Sequence, residues 1–201
     1  MQVTRIELPQ LPEGVQESLR LIRAAGGRAW VVGGAVRDLL RGETPEDFDL
    51  ASDLLPEQLA TILPDPEVRA AALGTCRTTI AGKDLAVTTL RAEADYSDQR
   101  HPDTVTFVTD LGVDARRRDF TINALYFDPE TGELSDPHGG QQDLQEKVLR
   151  TIGEPERRFR EDPLRLLRMV RFAASADLRL APEVAAAARA TASGRSLSSA
   201  T

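Results

Sequence analysis

The sequence predicts an α+β fold, a mixed sheet with helices followed by a small all-helical segment, and three observations carry that reading. Strand-like and helix-like patterns alternate through the first three quarters of the chain. Two β-rich runs, "CRTTIAG" and "LAVTTLR", flank Gly82-Lys83-Asp84 as neighbouring antiparallel strands joined by a hairpin turn. At about residue 154 the composition shifts to an Arg- and Leu-rich segment with no strand pattern. The expected organisation is a head over residues 1–153, a helical extension over 154–192 and a disordered tail over 193–201.

Each element follows from its local pattern. Val15, Leu19 and Ile22 recur at helical spacing within residues 12–25, and Gly26-Gly27 stops that helix. "RAWVV" reads as a buried strand, and "GGAVRDLLRG" as a glycine turn entering a short helix that ends at Gly42. "DFDLAS" reads as the next strand and Pro56–Leu63 as a helix closed by "LPDP". Residues 92–103 are polar and aperiodic, hence a long loop, after which "TVTFVT" resumes the sheet. From Ala115 the pattern turns helical, interrupted by a short hairpin in "YFDPETGELSDPHGG". "EVAAAARATASG" has little to bury and reads as a frayed helix.

Composition excludes several classes. Of 201 residues, 41% are hydrophobic and 28% charged, an ordinary globular balance. A single cysteine, Cys76, forbids an internal disulfide, and one thiol with two histidines leaves no His/Cys zinc cluster, so any metal is held by oxygen. No window approaches the roughly 20 apolar residues that span a bilayer, and the N-terminus lacks a signal-peptide core, so a cytoplasmic protein is expected. The net charge of -7 argues against indiscriminate coating of nucleic acid, although local basic clusters remain able to bind phosphates.

Four clusters bear chemistry. In "PEDFDLAS", Asp47 and Asp49 lie two apart and would share one side of a strand, opposite Phe48 and Leu50. This is either a solvated strand edge or an all-oxygen site for a cation such as Mg²⁺. Upstream, Gly33 and Gly34 sit between strand and helix, where backbone N–H groups can meet a phosphate that Arg37 also reaches; simple turn geometry is the alternative. In "ARRRDFTINALYFD", Arg116, Arg117 and Arg118 read as a solvated helix start or an anion grip, and Asp119 and Asn123 fall four apart on one helical face. In "EDPLRLLRMVRFAA", Arg165, Arg168 and Arg171 form a cationic ladder beside a stripe of Leu164, Leu167 and Val170 expected to be buried. Asp162 before Pro163 also reads as an N-cap.

Together, "GGAVRDLLRGETPEDFDLAS", "RRDFTINALYFD", "DPHGGQQDLQEKVLRTIG" and "EDPLRLLRMVRFAA" closely resemble the head and neck motifs of bacterial class II tRNA nucleotidyltransferases, the CCA-adding enzymes, and of the related bacterial poly(A) polymerases. The resemblance covers about residues 28–182. It implies a nucleotidyltransferase head of the DNA polymerase β type followed by a helical neck. It implies template-independent addition of CMP and AMP, from CTP and ATP, to the 3′ end of tRNA. By that resemblance Asp47 and Asp49 hold catalytic Mg²⁺, and Gly33, Gly34, Arg37 and Arg118 meet the triphosphate and ribose. Asp119 and Asn123 belong to the same nucleotide-facing motif, Asp162 and Arg165 read the edge of the base, and Arg168 and Arg171 extend that face.

Two departures shape the expectation. Many relatives carry a third acid immediately before Val87-Thr88-Thr89, where this chain has Ala86; Asp84 lies on the same face of that strand as a partial substitute or a turn residue. Relatives also continue into helical body and tail domains that bind tRNA, so a head with weak tRNA affinity is expected. The loop "RAEADYSDQRHPDTVTF" resembles that of enzymes able to add the terminal A, favouring CCA or A addition over CC addition, with poly(A) synthesis as an alternative. From another class, a catalytically silent nucleotide-binding domain is the rival reading. A dinucleotide-binding fold is disfavoured because "GGAVRD" lacks the third glycine.

Overall fold

The structure, a computed structural model, describes residues 2–69 and 73–194. Among these, eight strands form one mixed sheet. Their order is β1 (Gln2–Arg5), β10 (Glu133–Asp136), β9 (Tyr126–Asp128), β2 (Ala29–Val32), β3 (Phe48–Ser52), β6 (Lys83–Thr89), β5 (Thr75–Ile80), β4 (Glu67–Arg69). Neighbours run antiparallel except β3 and β6, which are parallel. The hairpins expected around Gly82 and within "YFDPETGELSD" are β5–β6 and β9–β10.

Alternation of side chains sorts these strands between two cores. On one face, Val31, Leu50, Val87 and Leu134 meet the apolar sides of α1 (Glu13–Ala24), α2 (Gly34–Leu40) and α3 (Pro56–Ile62). On the other, Trp30, Val32, Ala51 and Tyr126 lie with Leu111 and Ala115 of α4 (Leu111–Arg117). A third cluster joins Phe120 and Ile122 to β11 (Val148–Leu149) and to α6 (Pro155–Glu161), α7 (Leu164–Ser175) and α8 (Pro182–Ala192) through Phe159, Met169, Phe172 and Val184. The Phe120 and Phe172 rings meet edge to face, 5.8 Å between centroids.

Several expectations are corrected. β1 and β4 carry no strong pattern, and both lie at sheet edges, where a ladder forms on one side only. Residues Arg91–Ala94 form β7, which pairs with β8 (Thr104–Phe107) in a separate ribbon, so "TVTFVT" does not resume the main sheet and the long loop shortens to residues 95–103. The arginine run ends α4 rather than starting a helix. Asp119 and Asn123 share no α-helical face: Arg118 and Phe120 are extended, and a 3₁₀ turn spans Thr121–Asn123.

The C-terminal segment differs as well. It is not strand-free, because β12 (Arg179–Leu180) pairs in parallel with β11. α8 is no frayed appendage, since it buries Val184, Ala187 and Ala190. Leu164, Leu167 and Val170 are exposed, while Arg165, Met169 and Phe172 form the buried side of α7. The expected disordered tail falls, from residue 195 onward, outside the described residues. A Pro155 start with Glu154 capping two N–H groups begins α6.

Gly14 marks the tightest approach of α1 to the sheet, since a Cβ there would stand 2.2 Å from the Ile80 carbonyl oxygen. Gly14→Ala is expected to cost about 1–3 kcal/mol by forcing the helix off the sheet. Urea denaturation of the variant checks this, and an unchanged midpoint would contradict the close contact.

Candidate active site

The site starts as one row of side chains across the sheet. Asp49 on β3 stands beside Val32 on β2, which stands beside Tyr126 on β9; on its other flank Asp49 stands beside Ala86 on β6, and Ala86 beside Arg77 on β5. Residues paired in this way point to the same face. Asp47 precedes β3 by one residue, and residues 47–50 alternate exposed and buried, so Asp47 and Asp49 face out together while Phe48 and Leu50 enter the core.

Neither carboxylate makes a hydrogen bond or a contact ion pair among the described residues. The protein around Asp49 raises its pKa above the ordinary value, chiefly by desolvation; Arg118 opposes this, Asp47 adds repulsion, and Arg77 and Arg168 also oppose it. Two adjacent acids in this condition fit a hard cation. No cluster of three metal-ligating side chains exists among the described residues, but Mg²⁺ needs only one or two carboxylates, with water and substrate phosphates completing its shell. Asp84, two residues before Ala86, is exposed, and its carboxylate accepts from the Thr79 hydroxyl at 2.6 Å.

The two acids open into a cavity of about 830 Å³ whose walls include twelve residues singled out in the sequence: Gly33, Gly34, Arg37, Asp47, Asp49, Arg118, Asp119, Asn123, Asp162, Arg165, Arg168 and Arg171. Gly33 has φ of +69° and ψ of -134°, a conformation open to glycine, and it bares the backbone between two guanidinium groups. A Cβ on Gly33 would lie 3.8 Å from Arg118 Nη1, and one on Gly34 would lie 3.6 Å from Arg37 Nη2.

Polar contacts run from wall to wall. Arg37 donates to Asn123 Oδ1 at 3.1 Å, Asn123 Nδ2 donates to Asp119 Oδ1 at 3.3 Å, and Asp119 Oδ2 accepts from Arg168 Nε at 2.7 Å. This chain of contacts ties α2 to the turn after α4 and to α7. Asp162, extended before a helical Pro163, accepts from the Leu164 N–H at 2.9 Å, as an N-cap does. Arg165 is buried, donating to Glu161 at 2.9 Å and to the Arg158 carbonyl at 3.0 Å, with its guanidinium 5.7 Å from the Tyr96 ring centre. Arg171 keeps no carboxylate partner among the described residues and lies 4.7 Å from the Phe172 ring centre, where Arg37 and Arg168 also gather at 5.2 and 5.6 Å.

Sequence reasoning missed three residues that hold this site. Asp114, fully buried, accepts from Arg117 Nε (2.8 Å), Arg118 Nε (3.2 Å), the Tyr126 hydroxyl (2.6 Å) and the Arg91 N–H (3.0 Å). The Tyr126 hydroxyl also accepts from Arg118 Nε at 2.8 Å. Burial alone would raise the Asp114 pKa, yet Arg118 and Arg117 outweigh it and the carboxyl is drawn down to about 2. Its placement three and four residues before two arginines was the available signal. For Tyr126 and Phe172 only their aromatic character stood out.

Residues 29–150 match the family described as the poly A polymerase head domain. The chain belongs to that family. Poly A polymerase head proteins generally work with a divalent metal ion, which agrees with the unpaired acids at the sheet end. The chain is 44% identical over 171 residues to a CCA-adding enzyme of Geobacillus stearothermophilus, covering 84% of this chain and 42% of that one. It is 41% identical over 165 residues to a CCA-adding enzyme of Bacillus subtilis, covering 82% and 41%. Among solved structures it is similar to a Bacillus stearothermophilus CCA-adding enzyme in complex with CTP, with a TM-score of 0.77, 38% identity and coverage of 88% and 43%. It is also similar to a Thermotoga maritima CCA-adding enzyme complexed with tRNA, with a TM-score of 0.75, 26% identity and coverage of 96% and 47%. This head-domain chain thus spans less than half the length of these relatives. No helix among the described residues is long and apolar enough to cross a membrane.

The Asp114 carboxyl titrates near 2, below the roughly 3.9 of an unfolded aspartate, so it stabilises the fold above about pH 4 and that support fades as pH falls toward 2. Asp114→Asn is expected to remove about 2 kcal/mol of this pH-dependent stability along with the buried ion pairs. Denaturant unfolding followed from pH 6 to pH 2 checks it; identical pH slopes for wild type and variant would refute the assignment.

Proposed function

We propose that the chain is the nucleotide-transferring head and the first part of the neck of a cytoplasmic CCA-adding enzyme, dividing near residue 153. In this reading it adds CMP and AMP, from CTP and ATP, to the 3′ end of tRNA without a nucleic-acid template and releases pyrophosphate. The observation that carries the reading is the convergence, in one cavity, of two unpaired carboxylates, a glycine turn between guanidinium groups and the Asp162–Arg165 pair.

Asp47 and Asp49 would hold Mg²⁺. That ion, when bound, would supply charge stabilisation for the attacking and leaving oxygens of an in-line displacement. Arg37 and Arg118, with the Gly33–Gly34 backbone, are set to grip the triphosphate, which fixes the α-phosphorus relative to the RNA hydroxyl. Asp119 and Asn123 lie where the ribose would be oriented, and they keep Arg37 and Arg168 extended into the cavity. Asp162 retains an acceptor oxygen for an exocyclic amine, and Arg165 retains donors for a ring or carbonyl acceptor. Cytosine and adenine both present an amine beside an acceptor, whereas uracil has no amine. Arg168 and Arg171 extend that cationic face.

A second reading, nucleotide binding without turnover, is favoured by one observation: beside Asp49 the strand offers Ala86, and beside Ala86 stands the cation Arg77 rather than another acid. Transfer assays separate the two. Wild type is expected to extend tRNA acceptor ends that stop before the CCA and after CC, given CTP and ATP separately, in preference to a generic RNA. Asp47→Ala is expected to lower transfer by about 10²–10³-fold. Undiminished turnover in Asp47→Ala would sink the metal-site assignment, while Mg²⁺-dependent CTP and ATP binding without any wild-type transfer would establish the silent reading.

A further inference from the structure

Asp49 has a cation on either side of it along the sheet. On one side Arg118 lies 4.9 Å from the ring centre of Tyr126, in the row that runs from Tyr126 through Val32 to Asp49. On the other side the row continues from Asp49 through Ala86 to Arg77 and ends at Glu67 on the edge strand β4. Residues paired in this way point to one face, so within the row only the methyl group of Ala86 stands between Arg77 and Asp49. Arg77 is exposed, and its side chain makes no hydrogen bond or ion pair among the described residues. Both arginines are near enough for their charge to oppose the rise that burial causes in the Asp49 pKa.

A second metal ion beside the first would need ligands and negative charge, and the site is short of both. No cluster of three metal-ligating side chains exists among the described residues. Of the other acids lining the cavity, Asp38, Glu43, Glu93 and Asp119 already pair with Arg37, Arg41, Arg91 and Arg168, and Asp162 caps α7. Glu46 is exposed, and the Lys83 ammonium sits 2.8 Å from its carbonyl oxygen, a further positive charge at that end of the site. One divalent ion neutralises Asp47 and Asp49, whereas a second would bring two more positive charges between Arg77 and Arg118. Arg37 and Arg118 already stand ready to balance phosphates, so a triphosphate does not call for that second ion.

We propose that Asp47 and Asp49 hold a single divalent cation with the bound nucleotide, and that Arg77, across Ala86, takes the place of a second ion with its fixed charge. The inference rests on the metal-site part of the transfer reading and deepens it by setting the number of ions and naming the residue that limits it.

The test dialyses the full chain to equilibrium against CTP with Mn²⁺ as the probe. It counts bound Mn²⁺ per bound CTP, while the electron paramagnetic resonance spectrum reports whether two ions lie close together. Wild type is expected to bind one Mn²⁺ per CTP with the six-line spectrum of an isolated ion. Ala86→Glu combined with Arg77→Ala is expected to raise the count to two and to give the spin-coupled spectrum of ions roughly 4 Å apart. Two coupled ions in the wild type would overturn the proposal however the variant folds, and so would a count of one in a double variant that still binds CTP. Asp47→Ala is expected to lose its ion; an unchanged count there would strike the metal site and this proposal with it. One isolated ion in a wild type that transfers no nucleotide would support the proposal and strike the transfer reading alone.

Discussion

The buried carboxylate of Asp114 is the constraint on which the site depends. A charge with no access to water is tolerated only when its lone pairs are filled, and here two guanidinium groups, a phenol and a backbone N–H fill them. Those four donors come from α4, β9 and the start of β7, so satisfying one side chain locks three elements together. Arg118 is thereby held against Tyr126, 4.9 Å from its ring centre, on the same sheet face as Asp49. The cation that tempers Asp49 is thus set by a residue outside the cavity lining.

The opposite wall is fastened by similar means. Arg158 donates to the carbonyls of Arg117 and Arg118, Arg168 pairs with Asp119, and Arg41 donates to the Ala176 carbonyl at 2.5 Å. These contacts use three arginines as bridges between the sheet-bearing part and the helical part, and Phe120 and Phe172 add an apolar one. Arg168, which lines the cleft, thus also helps to hold its walls. The charge pattern of the cleft sets acids on the sheet against cations on α2, α4 and α7.

Much of this was legible in the chain. Hairpins signalled by Gly82 and by "DPETG", the helix bearing Val15, Leu19 and Ile22, and the Asp47–Asp49 alternation depend on local periodicity, and they appear as read. All twelve candidate residues share one cavity. The failures were positions where tertiary contact outweighs pattern. On α7, Leu164, Leu167 and Val170 looked like the core face, yet Arg165 is buried instead because Glu161 and the Arg158 carbonyl await it. On the arginine run, pairing with Asp114 closes α4 at Arg117 and leaves Asp119 to meet Asn123 through a 3₁₀ turn.

By itself the sequence determined the kind of fold, the alternation that turns Asp47 and Asp49 outward, and the charged residue types that come to line the cleft. These follow from period, turn chemistry and side-chain charge, all carried within a few residues. The tertiary structure alone decided that Asp114 is the anchor, that Asp49 stands beside Ala86 with Arg77 one strand further on, and that α7 turns an arginine inward. Each of these depends on strand register or on which distant partner satisfies a buried charge. No local pattern encodes that, because the energy lies in contacts between residues far apart in the chain.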